Sequence, residues 1–108
     1  MQSPIKENHY NDSDGNPGGG TTFGYGFAIG WQNGPVKRID CDFPPAPNGA
    51  FVEDIIQAAI GRIKYYQESE FACVENERAL SHLMCALARL NERTADRERR
   101  GVEGTHTK

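Results

Sequence analysis

The sequence predicts an α+β fold in which a small antiparallel β-hairpin or sheet precedes an antiparallel helical hairpin. Large and small side chains alternate from Phe23 to Trp31, which is the two-residue period of a strand. Apolar residues then recur at helical spacing in two segments, over about residues 50–67 and 71–99. A chain of 108 residues buries only a modest core by itself, so we expect a dimer or higher oligomer.

The first 22 residues differ in composition from the rest of the chain. They are rich in Asn, Asp, Ser, Gly and Pro, and they include the run Gly18-Gly19-Gly20. Such a segment offers little apolar surface to a core, which predicts a flexible polar arm over residues 1–22. Residues 23–108 are the expected single domain, with strands at about 23–43, a helical hairpin at about 50–100 and a C-terminal tail at 101–108.

Turn-forming residues bound the predicted strands. Asn33-Gly34 predicts a two-residue turn with positive φ at both positions, followed by a second strand from about Val36 to Phe43. The glycines between Gly24 and Gly30 lie inside the first strand. A dinucleotide-binding loop places its glycines between a strand and a helix, so that interpretation is disfavoured.

The two helices follow a proline-rich connector at residues 44–49, which favours neither a strand nor a helix. We expect the first helix from about Ala50 to Gln67 and the second from about Phe71 to Arg99. Residues 68–70 supply the break between them, and Gly101 supplies the stop. A short polar link between two amphipathic helices predicts an antiparallel hairpin.

Composition disfavours several functions. The formal net charge of −3 argues against binding a DNA or RNA polymer over a broad surface. The three cysteines fit no disulfide framework and indicate a reducing cytoplasm. No apolar run is long enough to span a membrane. His82 and Cys85 could approach one metal ion, but no further ligand stands at a supporting spacing, so we expect no metal, cofactor or catalytic group.

The apolar seam of the second helix becomes polar at both ends, at Asn76 and at Arg97, which share one face with the leucines between them. Arg93 lies four residues before Arg97, and two neighbouring guanidinium groups suit the oxygens of a phosphate or pyrophosphate. Tyr66 and Phe71 flank the bend between the helices. Together with the nearby Asn76 amide, they could stack a purine and bind its edge.

The same residues allow a purely structural interpretation. The arginines near the end of the second helix alternate with Glu92, Asp96 and Glu98, and such mixtures usually form a solvated helix face. Tyr66 and Phe71 could simply close the core at the bend. Spacing alone does not decide between the two interpretations.

Helix geometry constrains the binding interpretation. Asn76 and Arg93 are 17 residues apart, which at about 1.5 Å per residue separates them by roughly 25 Å. A small ligand cannot contact both residues of one chain. An antiparallel second copy would bring the bend of one hairpin to the arginines of the other, and a two-fold dimer would create two such pockets.

The sequence resembles the type-one Thoeris anti-defence proteins of bacteriophages over about residues 24–108. The likeness is carried by the stretches Gly26–Val36, Phe71–Asn76 and Arg93–Arg97, and most specifically by the tail Arg100–His106. The resemblance implies a sponge that holds cyclic ADP-ribose isomers uncleaved in the host bacterial cytoplasm. It also implies dimers, in some members trimers of dimers (hexamers), and in some members cyclic di- or trinucleotides at a separate site.

Carried over by this resemblance, the ligand contacts are Tyr66 as the stacking aromatic, Asn76 as the amide, and Arg93 and Arg97 on the pyrophosphate, with Thr105 and His106 closing the pocket. The polar arm and Tyr66, where we expect Phe, depart from the family pattern. A helical-hairpin protein-interaction module and a small nucleotide hydrolase are the alternative functions.

Overall fold

The computed structural model describes residues 2–34 and 47–101, which form a three-stranded antiparallel sheet followed by two helices. The strands are β1 (Lys6–Asn11), β2 (Pro17–Gly24) and β3 (Phe27–Gly30), and the helices are α1 (Val52–Gln67) and α2 (Val74–Arg99). The described residues group into two compact units, one before Val52 and one over Val52–Gly101. The predicted α+β class is confirmed.

The sheet is a meander in the order β1-β2-β3. The turn from β1 to β2 is held by Asp12, whose Oδ1 accepts hydrogen bonds from the backbone N–H groups of Asp14 at 2.9 Å and Asn16 at 3.0 Å. An aspartate side chain that caps its own turn in this way is a common turn-former. Gly15 supplies the positive φ of +80° within the turn.

The prediction of one continuous strand from Phe23 to Trp31 is wrong. Phe23 and Gly24 end β2, Tyr25 and Gly26 form a turn, and β3 begins at Phe27. Gly24 pairs with Phe27 across the hairpin, and a Cβ on Gly24 would lie 2.6 Å from a carbon of the Phe27 ring. Gly24 therefore allows the close approach of the Phe27 ring where the chain reverses.

Two strands lie where the sequence predicted only a polar arm. β1 and most of β2 fall within residues 1–22, and Tyr10 of β1 covers the glycine run of β2. A Cβ at Gly18 would lie 3.1 Å from the Tyr10 ring, and one at Gly19 would lie 2.6 Å from its hydroxyl oxygen. Glycine is required there because two backbones and a ring approach closely. The flexibility of residues 1–22 stays a prediction.

The end of β3 is held to residues 48–50 by polar contacts. Trp31 forms a parallel bridge with Ala50, and its Nε1 donates to Oγ1 of the buried Thr22 at 2.8 Å. Asn33 and Asn48 exchange two hydrogen bonds, from Asn33 N to Asn48 Oδ1 at 2.7 Å and from Asn48 Nδ2 to Asn33 O at 2.9 Å. Side-chain amides thus extend the pairing beyond the backbone hydrogen bonds of the Trp31–Ala50 bridge.

The predicted positive φ in the Asn33-Gly34 turn is confirmed for Gly34 and wrong for Asn33. Gly34 has a φ of +78°, but no non-glycine residue in the described part of the chain has a positive φ, so Asn33 does not adopt the conformation that a turn of this type requires. The predicted strand at 36–43 and the first half of the proline-rich connector, residues 44–46, lie outside the described residues.

Both predicted helices are confirmed within a few residues of their bounds. They pack against each other, and six residues join them. Each helix carries acidic side chains in its first turn and basic ones in its last, which favours the helix dipole. Gly101, with a φ of +71°, ends α2 as predicted. No helix in the described ranges is long and apolar enough to cross a membrane.

The helical hairpin buries little of its own apolar face. Ile60 is the one apolar residue that counts as buried among the described residues, and α2 has no buried residue at all. Met84 and Val74 on this helix are each about half exposed, at 51% and 50%. The apolar seam of α2 is therefore only partly covered by α1.

Candidate functional site at the helical hairpin

The bend between the helices is fixed by the side-chain amide of Gln67. Its Nε2 donates to the Cys73 carbonyl oxygen at 3.0 Å, and its Oε1 accepts from the Cys73 N–H at 3.0 Å. Cys73 is the N-cap of α2 and makes no side-chain capping hydrogen bond. The Gln67 side chain thus joins the last residue of α1 to the start of α2.

Asn76 belongs to the same network. Its Nδ2 donates to Gln67 Oε1 at 3.0 Å and, more weakly, to the Phe71 carbonyl oxygen at 3.5 Å. Its Oδ1 makes no hydrogen bond within the described ranges. The network therefore orients a half-buried amide whose carbonyl oxygen can accept a hydrogen bond, for example from the amino group of a purine.

The two aromatic residues predicted at the bend are both exposed. Tyr66 is 38% exposed and Phe71 is 71% exposed, so the interpretation that Phe71 closes the core of the single chain is wrong. Phe71 follows a tight turn in which Ser69 Oγ donates to the Tyr66 carbonyl oxygen at 2.5 Å and accepts from the Phe71 N–H at 3.1 Å. The bend thus presents aromatic surface to solvent.

Arg62 and Tyr65 also belong to the aromatic surface, and the sequence analysis predicted neither of them. Arg62 lies over the rings of Tyr65 and Tyr66, 5.1 Å from each ring centroid, and its Nε donates to Tyr66 Oη at 3.2 Å. The hydrogen bond that Arg62 donates to Tyr66, and then the charge interaction with the same phenol, raise the pKa of Arg62 above its ordinary value. The three-residue and four-residue spacings from Arg62 to the tyrosines are the signal that could have revealed this cluster.

At the far end of α2, most of the charged side chains are paired on the helix surface. Arg89 binds both carboxylate oxygens of Glu92, at 2.8 and 2.9 Å. Asp96 pairs with Arg99 at 3.4 Å and with Arg100 at 3.0 Å. The structural interpretation of a solvated, ion-paired helix face is therefore correct for these residues.

Arg93 differs from its neighbours. It is exposed and forms no ion pair with any residue in the described ranges, so its charge is not neutralised by a carboxylate there. Arg97, one helical turn further, is half-buried. Thr105 and His106, the remaining predicted contacts, lie outside the described residues.

The bend and the arginines are far apart in one chain. Asn76 and Arg93 lie on the unbroken helix α2, so the rise of about 1.5 Å per residue over 17 residues separates them by roughly 25 Å. The structure therefore brings Tyr66, Phe71 and Asn76 to one end of the hairpin and Arg93 and Arg97 to the other.

The other chemical groups noted in the sequence form no cluster. His82 and Cys85 are exposed on α2, and Cys73 and Cys85 are free thiols. No group of three or more His, Cys, Asp or Glu side chains with the arrangement of a metal site occurs among residues 2–34 and 47–101.

These features define a helical-hairpin module with an aromatic and amide surface at its bend and arginines at its open end. The chain belongs to the family described as "Acb2/Tad1, hairpin domain", whose model matches residues 26–95. The matched region contains the bend residues and Arg93 but ends before Arg97.

The chain is also similar to a curated bacteriophage protein. It is 48% identical over 80 residues to "Thoeris anti-defense 1" of Bacillus phage SBSphiJ7. The similarity covers 74% of this chain and 52% of that protein, so the chain spans about half the length of its relative. The resemblance to Thoeris anti-defence proteins found in the sequence is confirmed.

Proposed function

We propose that this protein protects a bacteriophage against Thoeris immunity by sequestering cyclic ADP-ribose isomers without cleaving them. The observation that carries the proposal is the arrangement of exposed aromatic residues and the half-buried Asn76 amide at one end of the hairpin, with Arg93 at the other end. Arg93 has no ion pair with any residue that the structure describes. Membership of the hairpin family and the name of the phage relative support the anti-Thoeris part of this proposal.

The proposed ligand matches the chemistry of the two ends. Tyr66 stacks on the purine, Phe71 adds apolar surface, and Asn76 Oδ1 accepts from the base edge. Arg93 and Arg97 bind the pyrophosphate, because planar guanidinium groups match its oxygens. We further propose that Thr105 and His106 close the pocket.

A single pocket of this kind needs two copies of the chain. The roughly 25 Å between the ends is too long for one nucleotide, but an antiparallel second hairpin would bring the bend of one copy to the arginines of the other. The partly exposed seam of α2 is apolar surface that such a partner would cover. We propose a homodimer as the binding unit, with the trimer of dimers as its larger assembly.

The proposed activity is binding rather than catalysis. Most of the proposed contacts are amide, aromatic and guanidinium groups, which hold a nucleotide but do not transfer its protons near neutral pH. His106 is proposed only to close the pocket, so we expect the ligand to remain intact. The partners we propose are cyclic ADP-ribose isomers and, at a separate site, cyclic di- or trinucleotides. Neither a nucleic-acid polymer nor a membrane is a proposed partner. The proposed place of action is the cytoplasm of the infected host.

The test is recovery of the ligand after binding. The purified protein is incubated with each of several cyclic ADP-ribose isomers, separated from free ligand, denatured by heat and analysed by chromatography and mass spectrometry. Sequestration predicts that the bound isomer returns chemically intact. Recovery of linear or hydrolysed product would instead support a small nucleotide hydrolase.

The exposed apolar seam also favours a second candidate, a protein-interaction module in which the hairpin binds another helix. Thermal denaturation separates the two candidates. A ligand at a hundredfold its dissociation constant stabilises the folded state by about 2.7 kcal/mol, which raises the melting temperature measurably. The interaction module predicts an unchanged melting temperature with every cyclic nucleotide.

A further inference from the structure

The cluster of Arg62, Tyr65 and Tyr66 on α1 is built around one guanidinium group. The three residues share a helix face, and the Arg62 guanidinium carbon lies 5.1 Å from the centroid of each ring. The rings themselves are 6.2 Å apart and tilted by 56°. The guanidinium group therefore covers one side of both tyrosine rings at once.

Only one of the two tyrosines is also held by a hydrogen bond. Arg62 Nε donates to Tyr66 Oη at 3.2 Å, whereas the hydroxyl of Tyr65 has no hydrogen-bond partner in the described ranges. Tyr65 is correspondingly more exposed, at 60% against 38% for Tyr66. The contact with Arg62 restricts the Tyr66 side chain at both its ring face and its hydroxyl.

We propose that Arg62 is a positioning residue that orients the Tyr66 ring for stacking on the ligand base. This inference rests on the proposed function. With one ring face covered by the guanidinium group and the hydroxyl fixed, the opposite face of Tyr66 is presented in a single orientation. Ordering the ring before the ligand arrives removes part of the entropy cost of binding. Phenylalanine could not be fixed in this way, because it has no hydroxyl to accept the hydrogen bond.

The experiment is a double-mutant cycle between Arg62 and Tyr66 in which the affinity for the ligand is measured. Dissociation constants are measured by calorimetry for wild type, Arg62→Met, Tyr66→Phe and the double variant, with the cyclic ADP-ribose isomer that wild type binds most tightly. Arg62→Met keeps an apolar stem but removes the charge and the donor. Immobilising one flexible side chain typically changes affinity by about two- to tenfold, which is the loss expected for Arg62→Met.

The proposal predicts that Tyr66→Phe weakens binding in the wild-type background and has no effect in the Arg62→Met background. Tyr65→Phe is the matched control, because it removes a hydroxyl that Arg62 does not bind, and it should leave the affinity unchanged in both backgrounds. Melting temperatures of all variants should agree, since the cluster is on the surface.

Two results would overturn the inference. Wild-type affinity in Arg62→Met would show that Arg62 does not position Tyr66. Additive losses, in which Tyr66→Phe costs the same in both backgrounds and Arg62→Met costs the same with Tyr or Phe at position 66, would mean that the two residues act on the ligand independently. If wild type binds no cyclic nucleotide, the proposed function fails as well, and this outcome is distinct from the other two.

Discussion

Replacing Arg93 by Ala should weaken binding of cyclic ADP-ribose isomers while leaving the fold intact. Arg93 is exposed and has no ion pair among the described residues, so its removal leaves no carboxylate without a partner. A surface substitution of this kind usually changes stability by less than about 0.5 kcal/mol. A charge-assisted hydrogen bond to a pyrophosphate contributes about 1.5–3 kcal/mol, which corresponds to a loss of roughly ten- to hundredfold in affinity.

Arg89→Ala is the matched control for this prediction. Arg89 lies one helical turn before Arg93, but both of its ion-pair contacts go to Glu92, and exposed pairs contribute at most about 1 kcal/mol to stability. Calorimetric titration should therefore give near wild-type affinity for Arg89→Ala. Near wild-type affinity for Arg93→Ala, or equal losses for the two variants, would refute the assignment of Arg93 to the ligand.

Two substitutions test the structural account. Gly20→Ala should destabilise the sheet by more than about 1 kcal/mol, because Gly20 has a φ of +149° and a Cβ there would collide with the Asn8 carbonyl oxygen. Gly26→Ala is the control, because a Cβ at Gly26 meets no atom within 4 Å, and it should leave the melting temperature nearly unchanged. Equal losses of stability in the two variants would contradict the register of β1 and β2. Gln67→Ala should lower stability by about 1–2 kcal/mol in denaturant titrations, because it removes the hydrogen bonds to Cys73, and an unchanged midpoint would exclude that role.

The helices were predictable and most of the sheet was not, for a physical reason. α1 and α2 each carry apolar side chains at the helical period, and Gly101 ends α2 with the positive φ that glycine adopts most easily. β1 and β2 carry almost no apolar alternation. They are held instead by backbone hydrogen bonds and by the packing of Tyr10 over Gly18 and Gly19, and no periodic pattern reports such contacts.

The residue types at the site were predictable, but their contacts were not. Helical spacing placed Asn76 and Arg93 at opposite ends of α2, as the structure does. The role of Gln67 in holding Asn76 depends on a six-residue link whose path the sequence does not specify. Arg62 was overlooked because the prediction concentrated on arginines near the end of α2, although its spacing to Tyr66 was visible.

The central claim is that one pocket combines the bend of one copy with the arginines of another. The most direct test co-expresses Asn76→Ala and Arg93→Ala chains with different affinity tags and isolates the mixed dimer by tandem purification. Each homodimer has two damaged pockets, whereas the mixed dimer has one intact pocket and one doubly damaged pocket. Calorimetry should therefore find wild-type affinity at about half the wild-type stoichiometry in the mixed dimer. Failure of the mixed dimer to bind, with both chains folded and associated, would contradict the shared pocket.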